Sequence, residues 1–471
     1  MKTPSMMYAS NKQKPVAGSR LYQYLATFTS TLGIVTCGMH YGWASPSLPQ
    51  LLAENSPIQI TNDEGSWLAV IPLLFAVIGA VIASKILNII GRKATILLLA
   101  PPYFISWIMI GLAHSTTMLY ISRALAGFAD GITFTAIPMY IGEIADRQIR
   151  GMLGTSMSVT LITGVLLINV IGTYFTVFET ALVVSSLPLL MFVTFIWMPE
   201  SPYYLIMRNR LDEAGASLKK LRGTEDVDHE VNSITKSIIE ENSASFLDLF
   251  RVKTNRKALF IMIGLRSVQQ LSGISAFTLY TKMIFQQAGG ALSADVSTIL
   301  YILIQLIIST FSSILVDTTG RRPLLLISTI GSGFALIAEG LYFYLKDQTT
   351  FDVSELSWLP VAALIGYVII YSLGLGTIPV LMLGEVFATN IKAHALCFMD
   401  IYFSILAAVT SKFYQIMMDG YGIFVPFWVF TGCCIVGLAF IYFCIPETKG
   451  KSLEEIQIYL QGERRETNDC V

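Results

Sequence analysis

The sequence predicts an all-α integral membrane protein whose twelve transmembrane helices form two six-helix bundles joined by a polar, helical loop. Composition, the spacing of apolar windows and the placement of basic residues carry this expectation. Of 471 residues, 54% are hydrophobic and 13% charged, and the mean hydropathy is +0.63, far from a soluble globular composition. The medium such a chain requires is the lipid bilayer. A formal net charge of −1 offers no basic surface for phosphate backbones, so no nucleic-acid partner is expected. Five of the six cysteines lie in apolar segments and Cys470 in the tail; they read as small packing residues rather than a disulfide framework.

Residues 1–21 are polar and carry Lys2, Lys12, Lys14 and Arg20. The first apolar stretch is itself long enough to span, so this segment reads as a cytoplasmic tail and not as a cleaved signal. Apolar windows then fall at 22–45, 66–87, 94–114, 116–138, 152–175 and 178–198, giving a first bundle over 22–198. Residues 199–257 are dense in Lys, Arg, Asp and Glu, as in D-E-A-G-A-S-L-K-K-L-R, which suggests short amphipathic helices at the membrane surface. Six more windows follow at 258–287, 295–317, 323–345, 356–385, 391–418 and 423–446, forming a second bundle over 258–446, and the polar tail 447–471 closes the chain.

Twelve spans place 26 of the 31 Lys and Arg residues on one side of the membrane. By the positive-inside rule that side is the cytoplasm, with both termini on it. The halves also echo each other. G-R-K at Gly91 matches G-R-R at Gly320, G-E-I-A-D-R-Q-I-R-G at Gly142 matches G-E-V-F-A-T-N-I-K-A at Gly384, and P-E-S-P at Pro199 matches P-E-T-K-G at Pro446. Three pairs in the same order indicate parallel repeats of six helices, an architecture that places a substrate site between the halves near the midplane.

The seventh window contains R-S-V-Q-Q-L-S-G-I-S-A-F-T-L-Y-T from Arg266 to Thr281. If its helix enters near Ala258, Gln269 and Gln270 lie roughly 16 Å deep, where lipid satisfies no amide. Gln269, Ser272, Gly273, Ala276 and Tyr280 would share one helical stripe, facing either a water-filled cavity or a neighbouring helix. On the basic side, Glu143, Arg147 and Arg150 with Arg92, and Asp317, Arg321, Arg322, Glu385 and Lys392 in the other half, can form ion-pair clusters between helix ends. The positive-inside rule explains the Arg and Lys residues but not their acidic neighbours.

With R-A-L-A-G at Arg123, P-M-Y-I-G-E-I-A-D-R-Q-I-R-G at Pro138, Q-Q-L-S-G-I and D-T-T-G-R-R, these motifs lie in order and in register with the helices from about Leu21 to Leu460. The chain resembles the sugar porter family of the major facilitator superfamily, and within it the insect facilitated trehalose transporter-like proteins. The resemblance implies facilitative transport of a hexose or trehalose by alternating access, at the plasma membrane, with the charged clusters as a cytoplasmic gate. It places sugar contacts at Gln269, Gln270, Ser275 and Gln305, and an outer-gate residue, Tyr280, at the break of the seventh helix. Amides suit such work because each donates to one hydroxyl and accepts from another.

The departures from the family pattern gather in that pocket. Ser275 stands where asparagine is expected, Ser158 where glutamine is, Val380 where tryptophan is, and Phe403 with Ser404 where an asparagine-tryptophan pair is; Thr377 and Ala388 replace two prolines. The family's proton-coupled members carry a first-helix aspartate, and that position falls at or near Tyr41. No carboxylate lies between Tyr22 and Gln50, which favours a uniporter over a proton-coupled symporter, with His40 the nearest titratable group. A non-transporting sensor, or a carrier of another polyol-like solute, is the competing reading. Scattered histidines give no metal-ligand spacing, and no G-x-x-x-x-G-K-[ST] loop points to a nucleotide, so neither an enzyme nor a cofactor is expected.

Overall fold

The computed structural model describes residues 19–461 apart from 147, 241–245, 290–291, 351, 388, 450 and 452. Among the described residues it is helical throughout, and twelve spans can be followed. The first is Leu21–Gly42, continued by Ala44–Leu51; Asn62–Ile90, Arg92–Gly111, Thr116–Ile144, Arg150–Tyr174 and Val177–Phe195 complete the first half. The seventh is broken into Lys253–Leu271 and Ile274–Ala288, followed by Ala294–Thr319, Arg321–Gln348, a broken tenth of Leu359–Leu373 and Ile378–Val386, then Thr389–Tyr421 and Phe424–Cys444. Most boundaries fall within a few residues of the apolar windows. The two breaks do not show in hydropathy, because backbone geometry makes them.

Ten of these spans are long and apolar enough to cross a bilayer by length and composition alone, and the protein is a multi-pass membrane protein. The first and seventh are the exceptions. The first carries Thr27, Thr29, Ser30, Thr31 and Thr36, all buried, and the seventh carries Arg266, Gln269 and Gln270, also buried. Both hide their polar side chains in protein, and the two meet across the middle of the molecule. Tyr41 Oη donates to Ser275 Oγ over 3.0 Å, and the backbone N–H of Lys282 donates to Ser45 Oγ over 3.4 Å. The two least apolar spans therefore face one another at the centre of the junction, which the second and eleventh and the fifth and eighth spans also line.

Helix ends opposite the basic face carry sequence-coded starts. Thr61 with Glu64 and Thr176 with Glu179 are reciprocal capping boxes, and Ser115 and Ser293 each accept from a first-turn N–H. Within the first half, close backbone approach sets the packing. A Cβ on Gly38 would lie 2.2 Å from Leu161 O, and one on Gly164 2.2 Å from Val35 O, so the first and fifth spans touch through paired glycines.

The segment between the halves forms four short helices, Pro202–Met207, Leu211–Arg222, Asp228–Glu240 and Asp248–Arg251. The first three share a small apolar core that includes Tyr204, Leu205, Leu218 and Ile234. Gln23 Nε2 donates to Leu221 O over 3.0 Å, which ties this layer to the first span.

Candidate functional site

The seventh span breaks because Gly273 has φ +95°, a conformation that L side chains rarely adopt. A Cβ there would also lie 2.5 Å from the Phe430 ring and 2.7 Å from that of Phe277. The stripe expected from Gln269 to Tyr280 is thus not one continuous helix face. Tyr280 does not sit at the break either; it lies within Ile274–Ala288, seven residues past Gly273.

The two glutamines are used differently. Gln269 is engaged at both ends, accepting from Arg266 Nη1 over 2.8 Å and donating from Nε2 to Leu375 O over 2.8 Å at the broken tenth span. Gln270 accepts from Ser275 Oγ over 2.7 Å, while its Nε2, fully buried, has no protein partner. Tyr41, Ser275 and Gln270 form a chain of hydrogen bonds from the first half into the second. Gln305 is half-buried on the eighth span and Ser158 exposed on the fifth; neither has a hydrogen bond that joins it to this chain.

On the side away from the basic motifs, the centre is covered by packed rings. Tyr280 stacks on Tyr414 with centroids 5.4 Å apart, and Phe277 packs against Tyr367, Phe427 and Phe430. The Tyr280 and Tyr414 hydroxyls are buried without protein partners. At the outer rim Lys412 of the eleventh span reaches Asp63 of the second over 2.6 Å, and its Nζ lies 4.6 Å from the Trp67 ring centroid. The structure is closed at this face. Because Asp63 is exposed, the pair is worth at most about 1 kcal/mol. Lys412→Ala should therefore raise the open-outside population by no more than about fivefold, read as faster modification of a cysteine introduced at buried Thr410 by an impermeant thiol reagent.

The basic face repeats one cluster in each half. In the first half, Arg92 donates from Nη2 and Nε to Glu143 Oε1 over 2.8 and 3.2 Å, and Glu200 accepts from the backbone N–H groups of Arg92 and Lys93 over 3.1 and 3.0 Å. In the second half, Arg321 donates to Glu385 Oε1 over 2.8 and 3.3 Å, and Glu447 accepts from the N–H groups of Arg321 and Arg322 over 3.1 and 2.9 Å. Ser201 bonds Glu143 and Thr448 bonds Glu385 in the same way. The three repeated motifs are thus three parts of one device, in which the glutamate of P-E-S or P-E-T caps the helix that G-R-K or G-R-R begins. Gly91 has φ +96° and Gly320 φ +101°, which lets the backbone turn onto the capping carboxylate. Burial raises the Glu447 carboxyl, but the N–H groups of Lys449, Arg321, Arg322 and Thr448 outweigh it and hold it below its ordinary range. The cap is therefore fully formed above the usual glutamate pKa and is lost as pH falls through the lowered one.

Each cluster lies within its own half, and the ion pairs described on this face do not join the halves. Arg150 donates to Ala145 O over 3.3 Å and Lys392 to Gly384 O over 3.2 Å, so neither is held by a carboxylate as the motif reading expects. Arg322 lies over the Tyr442 ring, 5.2 Å from its centroid. Arg147 and the Asp317 side chain lie outside the described residues.

A family model described as "Sugar (and other) transporter" matches residues 61–460. The chain belongs to this transporter family. Among curated relatives it is 35% identical over 459 residues to the facilitated trehalose transporter Tret1 of Culex quinquefasciatus, covering 96% of this chain and 88% of that protein. It is 34% identical to Tret1 of Bombyx mori, covering 98% and 91%. Among solved structures, the inward-open xylose transporter XylE from E. coli superposes with a TM-score of 0.77 at 20% identity, covering 93% of this chain and 99% of that one. That likeness establishes the twelve-helix major facilitator fold.

Against this family background, several buried charges are features that motif reading passed over. Arg266 is buried beside Gln269, with Cζ 5.0 Å from the Phe403 ring centroid. Asp130 accepts from Tyr103 Oη over 2.8 Å. Glu339 is buried with neither oxygen bonded to protein. A charged residue inside an apolar window was the available signal. His40 stacks on Trp107 at 3.9 Å and on Tyr103 at 5.4 Å, the environment of a packed ring.

Proposed function

We propose that this chain is a facilitative sugar transporter in which the halves rock about a central site at the broken seventh span. The observation that carries the reading is Gln270, whose amide nitrogen is buried and unbonded at the junction of the halves, one turn from a break that lets the helix move in two pieces. Relatives named as facilitated trehalose transporters support a sugar cargo. The basic face is assigned to the cytoplasm and the membrane to the cell surface. The polypeptide divides at 1–21, 22–198, 199–257, 258–446 and 447–471. The Arg92–Glu143–Glu200 and Arg321–Glu385–Glu447 clusters are assigned as the cytoplasmic gate, each rigid within its half so that the halves separate as units. Gln270, Ser275 and Tyr280 are assigned to the cargo site, with Gln305 and Ser158 as its edges and Gln269 as the residue that positions Arg266. The packing of His40 and the carboxylate-free first span favour uniport.

Uptake of radiolabelled glucose, fructose and trehalose into oocytes, at about pH 5.5 and about pH 7.5 to bracket an ordinary histidine, tests the reading. Saturable, pH-independent uptake of at least one sugar is expected. No uptake of any sugar or sugar derivative despite surface expression would sink it. Gln270→Ala should raise the KM of that sugar about fivefold to tenfold, the worth of one or two hydrogen bonds, at unchanged surface level; an unchanged KM removes Gln270 from the site.

A further inference from the structure

Two buried N–H groups on the helix that runs into the break have no protein partner. Arg266 and Gln270 stand at i and i+4 on Lys253–Leu271 and are neighbours one turn apart. Arg266 Nε and Gln270 Nε2 are both buried and both without a protein partner, and both are N–H donors. The neighbouring amide oxygens each already accept one bond, Gln269 Oε1 from Arg266 and Gln270 Oε1 from Ser275. A sugar hydroxyl both donates and accepts, whereas a carboxylate only accepts, so this part of the site matches the carboxylate better.

Charge points the same way. Arg266 is a buried cation deep in a transmembrane helix, a costly arrangement unless an anion compensates it. Among the described residues no carboxylate oxygen lies within ion-pair distance of it. Asp400 of the eleventh span acts on it through space but forms no hydrogen bond with its Nε edge. The guanidinium is held against Phe403 and by Gln269, so its direction is fixed before cargo arrives. A guanidinium fork binds carboxylate more strongly than it binds neutral oxygen.

We propose that Arg266 and Gln270 form a carboxylate-binding subsite, and that the preferred cargo is a sugar acid such as a uronate rather than a neutral sugar. The inference rests on the sugar-transport reading above and specifies its substrate class. Sugar hydroxyls would be met by the Tyr280 and Tyr414 hydroxyls, which are also buried and unbonded.

The test is uptake of radiolabelled glucuronate, glucose and trehalose by oocytes expressing the full chain, normalised to surface protein by biotinylation. Glucuronate should show a KM about tenfold below that of glucose. Arg266→Gln should reduce the glucuronate-to-glucose selectivity ratio by at least about tenfold, with Arg266→Lys, a point charge without the fork, falling between. Saturable glucose or trehalose uptake that glucuronate neither joins nor inhibits would overturn the inference and leave the sugar transporter standing. Equal loss of all three cargoes in both variants at normal surface level would make Arg266 a packing residue and also overturn it. Uptake of none by the unaltered chain would remove both readings.

Discussion

Gly273→Ala is expected to lose most of its folded, surface-delivered protein. Two independent costs coincide there. An alanine at φ +95° occupies a region that L residues avoid, at about 1–2 kcal/mol, and its Cβ would sit 2.5 Å from the Phe430 ring and 2.7 Å from the Phe277 ring. Those rings belong to the packed aromatic layer over the site, so moving them costs further packing, typically about 1–3 kcal/mol. Their sum is a large part of a typical folding free energy. The melting temperature of the detergent-solubilised protein measures the effect, and Phe430→Ala in the same chain separates its parts. Removing the ring should return only its part of the steric share, leaving the Phe277 contact and the backbone strain. Full recovery would show that φ is not the constraint, and an unchanged melting temperature in Gly273→Ala would show that the break is not fixed by this residue.

Arg92→Ala should cost nearly as much and should also impair transport. Arg92 is buried and gives two N–H groups to Glu143 Oε1, lies 5.4 Å from the Tyr204 ring centroid, and donates to Leu87 O. Deleting one member of a buried pair typically costs about 3–5 kcal/mol because the other charge is stranded. Glu143 keeps some exposure, which puts this case near the lower end. The double variant with Glu143→Gln should recover part of the loss, since no stranded charge remains. Transport rate should fall more than cargo binding from outside, because the cluster fixes helix ends remote from Gln270. Equal loss of rate and binding would indicate misfolding instead. Arg321→Ala, with Glu385 as the partner, should repeat the pattern in the second half. A silent Arg321 variant would show that the two clusters, alike in geometry, are unlike in load.

Much of this was legible in the sequence because it is written locally. A span is a run of apolar residues, a capping box is Thr-x-x-Glu, and a membrane side is a bias in Lys and Arg. The repeated G-R-K, G-E and P-E motifs needed only comparison of one half with the other, and the structure joins them into one cluster per half. The site was legible only in part. Composition flagged Gln269 and Gln270 together, and nothing in the string separates them, since each is an amide in the same helix.

Tertiary structure separated them, through partners distant in the chain. Leu375 O takes the Gln269 amide from 106 residues away, and Tyr41 reaches Ser275 across 234 residues. Phe430 fills the space that makes Gly273 obligatory. The sequence alone therefore determined a twelve-helix, two-half membrane protein, because hydropathy and charge bias act over a few residues at a time, and its ordered motifs carried the resemblance to sugar porters. Only the tertiary structure decided which buried donors stay free, because hydrogen-bond satisfaction depends on which distant side chains and carbonyls the packed helices bring within about 3 Å.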